Sequence, residues 1–189
     1  MDPTPSTDST RSRLLVASPL LGDPNFERTV VFMLEHSDEG AVGLVLNRPS
    51  EVEIDDPLED WSRFTSHPSV VFVGGPVSRE AVIALARVAH GRLDAVWQPI
   101  LGPVGVLDLT ADADAVGAAV EKLRIFSGYA GWGPGQLEGE IDEGAWFVVD
   151  ADPDDAFAAT PDDLWRAILR RQPLPLKRYA LFPPDLRWN

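Results

Sequence analysis

Two strand-like segments joined by a short turn near the start of the chain place the strongest limit on its fold. The first, TVVFMLEH (29–36), is rich in β-branched and aromatic residues, and the second, AVGLVLNRP (41–49), follows the compact turn SDEG (37–40). Such an arrangement predicts a β-hairpin, which Pro49 is expected to end because proline donates no ladder hydrogen bond. Because the chain begins with a hairpin and not with a βαβ unit, we predict an α+β fold and not a doubly wound parallel sheet.

The rest of the chain mixes strand and helix patterns and shows no internal repeat. Further strands are predicted at residues 13–19, 69–76, 104–109, 124–128 and 145–151. Helices are predicted at residues 78–91, 112–123, 134–144 and 161–171. The acidic segment 51–68 is predicted to be irregular, with one helical turn around 58–61.

The helix predicted at 78–91 has both end signals and an apolar stripe. Ser78 is a good N-cap, and Gly91 is a good residue to follow a helix C-terminus. The stripe consists of Val82, Leu85, Ala86 and Ala89. The core face expected for the helix at 161–171 consists of Leu164, Ala167 and Ile168.

The length of 189 residues suits a single domain. The first ten residues, MDPTPSTDST, are polar and proline-containing, so we expect a disordered tail over 1–12. The domain itself is expected to cover 13–172. The proline-interrupted segment 173–189 is expected to pack on the surface as a C-terminal extension.

Charge and composition exclude several kinds of function. The net charge of −14 repels nucleic acid and anionic membranes at long range. The absence of cysteine excludes disulfides, thiolate metal sites and a cysteine nucleophile. No apolar run approaches the roughly 20 residues that span a bilayer, and the N-terminus lacks the features of a secretory signal. We therefore expect a cytoplasmic protein that contacts no membrane.

The glycine-rich stretch SGYAGWGPGQLEGE (127–140) matches neither common nucleotide loop. A P-loop requires Lys and Ser or Thr after its last glycine, but Gln136 and Leu137 follow Gly135. A dinucleotide fingerprint requires a third glycine where Gln136 stands, after Gly131 and Gly133. The stretch predicts a strand, a turn and a helix N-terminus, whose N–H groups either hold an anion or only cap the fold. Most of the carboxylates that follow it are expected to face water.

Polar residues and glycines at the ends of several predicted strands suggest a shared crevice. Arg28 precedes the strand at 29–36, Asn47 and Arg48 end the next strand, and Gly74 and Gly75 end a third. Polar groups at neighbouring strand ends often line a ligand site, so we expect the loop around 128–136 to wall one crevice near them. The alternative is that Asn47 and Arg48 only satisfy turn carbonyls.

No catalytic or metal motif is complete. The histidines His36, His67 and His90 lack metal-ligand spacing, so we expect neither a metal nor another cofactor. The nucleophile elbow G-x-S-x-G is absent. A triad of Ser127, His36 and an acid would have to be assembled by the fold alone.

An ordered set of segments resembles the bacterial YqgE/AlgH family. The segments are ASPLLGDPNFERTVVFMLEH, GAVGLVLNRP, VFVGGPV and FSGYAGWGPGQLEGEI followed by GAWFVVDA, and the match runs from about Leu14 to Arg171. The resemblance implies an α+β fold with a bifurcated, mainly antiparallel sheet curled into a pseudo-barrel and helices packed outside. Some members carry the label of transcriptional regulator, and the family supplies no accepted catalytic role.

The residues that match the family's motifs are our candidates for ligand binding. They are Arg28, His36, Asn47, Arg48, Gly74, Gly75, Tyr129, Gly131, Trp132, Gln136 and Glu140. No residue is assigned a catalytic role.

Three hypotheses of function follow. The first is a non-enzymatic protein that binds a small anionic ligand or a protein partner, with an indirect regulatory role. The second is a hydrolase or transferase for an anionic substrate, in which Arg28 or loop N–H groups hold charge and His36 or Glu140 acts as acid/base. The third is direct nucleic-acid binding, disfavoured by the net charge. Its basic cluster would consist of Arg166, Arg170, Arg171, Lys177, Arg178 and Arg187.

Overall fold

The computed structural model describes residues 9–55, 58–89, 93 and 95–183. Its strands are β1 (Arg13–Ala17), β2 (Val30–Ser37), β3 (Gly40–Val45), β4 (Pro49–Glu53), β5 (Val70–Val73), β6 (Val77–Val88), β7 (Trp97–Leu101), β8 (Val104–Leu107), β9 (Val120–Trp132) and β10 (Trp146–Asp150). Its α-helices are α1 (Glu59–Ser62), α2 (Ala113–Val116), α3 (Gln136–Asp142) and α4 (Leu164–Arg170). Short 3₁₀ segments lie at Gly117–Ala119, Asp155–Phe157, Pro161–Asp163 and Leu176–Leu181.

The strands form one curled, bifurcated sheet, and the α+β prediction is confirmed. The main path runs β10-β1-β2-β3-β9-β6-β8-β7, and its pairs are antiparallel. The sheet forks at β9. One edge of β9 pairs with β6, while β3 and β5 both pair with the other edge, at Ala130–Trp132 and Phe126–Ser127 respectively. Among the three pairs that β9 forms with β3, β5 and β6, only the pair with β5 is parallel.

The predicted hairpin is confirmed as β2 and β3, but the expectation for Pro49 is wrong. Strand β3 ends at Val45, and Pro49 begins β4, where it pairs with Phe72 of β5. Within the described sheet β4 pairs only with β5. A proline at the first residue of such an edge strand leaves no ladder hydrogen bond unmade.

The helix predicted at 78–91 is wrong, because this segment forms strand β6. Ile83 and Leu85 pack into one core while Ala84 and Ala86 pack into another. A strand that is buried on both faces appears in sequence as a continuous apolar run, which fits a helical stripe equally well. Hydrogen-bonded pairing with β8 and β9 makes this segment a strand and not a helix. Part of the predicted end, at 90–91, lies outside the described residues.

Other boundaries also change. The helix predicted at 112–123 ends by Ala119, because β9 begins at Val120 and continues to Trp132, beyond the predicted strand 124–128. Strands β4 and β7 were not predicted. The strands at 13–19, 69–76, 104–109 and 145–151 are confirmed in shorter form. The helices at 134–144 and 161–171 are confirmed as α3 and α4, although Ala167 is exposed. The buried residues of α4 are Leu164, Trp165, Ile168 and Leu169.

Alternate residues of the first strands enter two different cores. Leu14 and Val16 of β1 pack on the side of α4, whereas Leu15 and Ala17 pack on the side of α3. A helix therefore covers each face of this part of the sheet. A third core lies between β6, β8 and β9, where Trp61 of α1 is buried.

Three glycines allow the end of β5 to cross β9 at backbone contact distance. The Val45 N–H donates to the Gly74 carbonyl at 2.8 Å, and the Gly74 N–H donates to the Ser127 carbonyl at 2.9 Å. A Cβ on Gly74 would collide with the Gly128 carbonyl, and one on Gly75 would collide with the backbone of Tyr129. Gly128 has a φ of +71°, which side chains disfavour. We call this contact of Gly74, Gly75 and Gly128 the glycine crossing.

We predict that Gly74→Ala destabilises the protein by about 2 kcal/mol or more, because the new methyl group meets backbone that must move. Gly131→Ala is the matched control. Its Cβ would meet the Tyr129 ring at 3.6 Å and Val77 at 3.8 Å, so a change within about 0.5 kcal/mol is expected. Urea unfolding measures both free energies. Equal values for the two variants would contradict the role of the crossing.

Candidate functional site

An open cleft of about 310 Å³ lies where several strands end, beside the glycine crossing. We call it the strand-end cleft. The loop after β1, the ends of β3 and β5 and the starts of β4 and β6 contribute its walls. Its lining consists of Pro24, Asn25, Val45, Arg48, Pro49, Val73, Gly75, Pro76 and Arg79.

The lining carries positive charge in an otherwise acidic protein. Arg48 and Arg79 are its charged residues, and the lining includes no carboxylate. The Arg48 guanidinium donates to the Glu27 carbonyl at 2.7 Å, which leaves further N–H groups to bind a ligand. The Arg79 side chain forms no hydrogen bond or ion pair with the residues that the structure describes. Its backbone carbonyl is fixed by the Ser127 hydroxyl.

The predicted site residues do not all meet in this cleft. Arg48 and Gly75 line it, and the buried Gly74 lies beside them in the glycine crossing. Asn47 is buried instead, where its Oδ1 accepts from the Val30 N–H and its Nδ2 donates to the Arg28 carbonyl, both at 2.9 Å. Asn47 therefore fixes the backbone at the start of β2.

The Arg28 guanidinium lies against α4 and the C-terminal segment. It stacks 4.5 Å above the Trp165 ring and donates to the carbonyl groups of Phe182 and Pro183. Burial, and then the neighbouring Arg166, lower the pKa of Arg28 from its ordinary value, while Glu27 opposes this shift. Two guanidinium groups are thus close enough to repel each other.

Glu140 holds two indoles together. Its Oε2 accepts from Trp132 Nε1 at 2.9 Å and from Trp146 Nε1 at 2.8 Å. Its Oε1 accepts from Gln136 Nε2 at 3.0 Å, and Gln136 Oε1 in turn accepts from the Gly133 N–H. Both Glu140 carboxylate oxygens are therefore bound within the protein. This part of the glycine-rich stretch caps its own turn.

His36 connects the N-terminal segment to α3. Its Nδ1 accepts from the Thr10 N–H at 3.0 Å, and its Nε2 lies 2.8 Å from Glu138 Oε1. Since a backbone N–H can only donate, Nε2 carries the proton that Glu138 accepts. Glu138's own backbone N–H, and then His36, lower the pKa of the Glu138 carboxyl. The His36 side chain is 6% exposed, and Thr10, within the predicted tail, is buried.

Tyr129 and Gly131 belong to β9. Tyr129 packs partly buried against the core on the α4 side, and Gly131 is exposed opposite Val42 of β3. Neither residue lines the strand-end cleft.

The sequence prediction missed Arg79 and Asn25, which line the cleft. Arg79 lies in the segment predicted as a helix, and only its true assignment to β6 brings it to a strand end. The flanking prolines Pro24 and Pro76 were a usable signal, because proline clusters mark loops and strand ends.

The basic cluster is largely committed to contacts within the fold. Arg171 forms a bidentate ion pair with Asp155 at 2.6 and 2.7 Å, and Arg170 forms an ion pair with Asp163. Arg166 donates to backbone carbonyls. Lys177 and Arg178 are exposed, and Arg187 lies outside the described residues.

The described ranges contain neither a metal-binding cluster nor a membrane-spanning helix. No group of three or more His, Asp or Glu side chains there is placed to hold a metal ion. None of the helices in those ranges has the length and apolar character needed to cross a bilayer.

Comparisons with known proteins agree on one family. The AlgH-like family model, DUF179, matches residues 14–177. UPF0301 protein SCO2948 of Streptomyces coelicolor is 49% identical over 185 residues, covering 96% of each chain. The crystal structure of protein DIP2367 from Corynebacterium diphtheriae has a TM-score of 0.87 at 30% identity and 95% coverage of each chain. The solution structure of the AlgH protein from Pseudomonas aeruginosa has a TM-score of 0.68 at 31% identity, covering 95% of this chain and 97% of that one.

We predict that Glu140→Ala destabilises the protein by about 2–4 kcal/mol, because two buried indole N–H groups lose their acceptor. Glu143→Ala is the control, since Glu143 is exposed one residue after α3. Urea unfolding followed by tryptophan fluorescence gives both values. If the two variants are equally stable, the Glu140 carboxylate does not hold this cluster.

Proposed function

The chain belongs to the AlgH-like family, and from the strand-end cleft we propose that it is a non-catalytic binding protein for a small anionic ligand. The observation that carries this function is the pair Arg48 and Arg79 in a lining without a carboxylate. The chain contains 30 acidic and 16 basic residues, so a cleft with only cationic charges runs against its overall composition. Such a cleft attracts anions locally.

The size and chemistry of the cleft suit a metabolite. Its volume of about 310 Å³ lies at the lower end of the roughly 300–1,000 Å³ typical of small-molecule sites. Guanidinium groups recognise carboxylate and phosphate oxygens through paired N–H donors. Asn25, in the same lining, adds an uncharged polar group that can select among such ligands.

The lining supports binding more than catalysis. It contains no histidine, serine, tyrosine or carboxylate that could transfer a proton or attack a substrate. The two acid/base candidates, His36 and Glu140, are hydrogen-bonded elsewhere to Glu138 and to the indoles. A hydrolase or transferase therefore has less support than a binding protein.

A regulatory role would be indirect and would take place in the cytoplasm. The net charge of −14 opposes contact with DNA, and Arg166, Arg170 and Arg171 already have partners within the fold. Ligand binding at the cleft would instead change how the protein engages a protein partner. Of the described residues in the basic cluster, the exposed Lys177 and Arg178 remain to support nucleic-acid binding.

We predict that pyrophosphate or citrate binds the cleft and that Arg48→Gln or Arg79→Gln each weakens binding about ten-fold or more, because each removes charged hydrogen bonds. Isothermal titration calorimetry at low ionic strength measures the affinities, which should fall as salt is added.

Arg63→Gln is the matched control, because Arg63 is a partly exposed arginine that pairs with Asp114 and lies outside the cleft. Its affinity for either probe should equal that of the wild type. An unchanged affinity in the Arg48→Gln, Arg79→Gln double variant would refute the site. So would the failure of a broad thermal-shift screen of anionic metabolites to stabilise the wild-type protein.

A further inference from the structure

We propose that Arg28 and Arg166 form a second oxyanion-binding site, which the C-terminal strap (residues 176–183) covers with its own carbonyl groups. The site would take a phosphate or carboxylate group of a small molecule. It lies against α4 and does not depend on the function proposed for the strand-end cleft.

The two guanidinium groups converge on the strap. Arg28 Nη1 donates to the Phe182 carbonyl at 3.4 Å, and Arg166 Nη2 donates to the same oxygen at 3.0 Å. Arg28 Nη2 also donates to the Pro183 carbonyl, and Arg166 Nε donates to the Ala180 carbonyl at 3.3 Å. The strap therefore places a row of oxygen atoms where an oxyanion would place its own.

The strap neutralises this pair of cations only in part. Among the residues that the structure describes, no carboxylate forms an ion pair with Arg28 or Arg166, although Glu27 acts on the charge of Arg28 from a greater distance. Other arginines do form such pairs, as Arg87 does with Asp154 and Arg171 with Asp155. A carbonyl oxygen carries only partial negative charge. A carboxylate or phosphate would offer full charge and two oxygens to each planar guanidinium, and it would offset the repulsion between the two cations.

The protein holds Arg28 in a strained and fixed conformation. Its φ of +53° lies in the left-handed region, which is costly for a residue with a side chain and persists only where the surroundings enforce it, often at functional sites. Asn47 binds the Arg28 carbonyl. Trp165 lies under the guanidinium and is itself fixed by its hydrogen bond to the Ala17 carbonyl at 2.8 Å. Asn47 is thus a positioning residue for this site.

Within the described residues, the end of the strap is the part that would move to open the site. Ala180 is buried, and Tyr179 stacks on Phe147 at 4.9 Å, so the body of the strap is anchored. Beyond Ala180, Leu181 is 84% exposed, and the Phe182 ring packs on Tyr179 at 5.4 Å. The strap end therefore competes with a ligand, and the apparent affinity falls with the fraction of molecules in which it is lifted.

The test uses the full chain with Arg48→Gln and Arg79→Gln as the background, so that binding at the strand-end cleft is weakened. Pyrophosphate and succinate serve as the phosphate and carboxylate probes in calorimetric titrations. Phe182→Ala should lower the dissociation constant of at least one probe about ten-fold, because the strap end lifts more often. Leu181→Ala, a neighbouring change in an exposed side chain, should leave it unchanged.

Adding Arg28→Gln or Arg166→Gln to Phe182→Ala should abolish the gain in affinity. Hydrogen exchange supplies an independent readout that does not require these variants. In the background protein, saturating pyrophosphate or succinate should speed exchange of the amides at residues 181 and 182, because the ligand displaces the strap.

Three results would each overturn the site. The first is equal affinity of both probes for the background protein and its Phe182→Ala variant. The second is a gain in affinity that survives removal of both Arg28 and Arg166. The third is unchanged or slower exchange at the strap end in the presence of saturating probe. Failure of the strand-end cleft would appear separately, in the variants with an intact strap.

Discussion

The glycine crossing is the contact on which the rest of the structure depends. At this point β3, β5 and β9 approach so closely that Gly74, Gly75 and Gly128 leave no room for side chains. The fork of the sheet arises here, because β3 bonds to Gly74 while Gly74 bonds to β9. The same backbone then turns into β6 and brings Arg79 into the lining of the strand-end cleft, which Arg48 also lines. The position of the charged groups is therefore a consequence of backbone packing.

A buried arginine reinforces β9 on the α4 side. Arg124 is 1% exposed and donates to the carbonyl groups of His67, Ala156 and Ala158 at 2.8, 3.3 and 3.1 Å. Its guanidinium stacks 4.2 Å above Phe72 of β5, and burial lowers the pKa of Arg124 to about 10. Removing such a charge from water is costly. Three carbonyls and an aromatic face offset part of that cost and tie distant loops to the forked strand.

Local signals predicted the hairpin, α3, α4 and the α+β class, because turn residues and helix caps act over a few positions. They failed for β6, since its apolar run is buried on both faces and its partners β8 and β9 lie far along the chain. The candidate site residues also fall into a part that the sequence predicts and a part that it does not. Arg48 and Gly75 follow from strand ends, whereas the bond from Glu140 to Trp132 and Trp146 joins α3 to two different strands. Although these three residues lie within fifteen positions of one another, neither the helix period nor the strand period relates them.

The acidic composition makes arginines without an ion pair notable. With 30 acidic residues for 16 basic ones, the absence of an ion pair at an arginine cannot be explained by a shortage of acids. In the described part of the chain, surface arginines such as Arg63 do pair with acids, while Arg124 is enclosed by carbonyls. Arg28 and Arg166 bind carbonyls of the strap, and Arg48 and Arg79 face an open cleft. These cases differ in how accessible the guanidinium group is to a ligand from solvent. Under the binding function proposed above, a cation that forms no ion pair within the described residues, yet stays within reach of solvent, attracts an anion from outside.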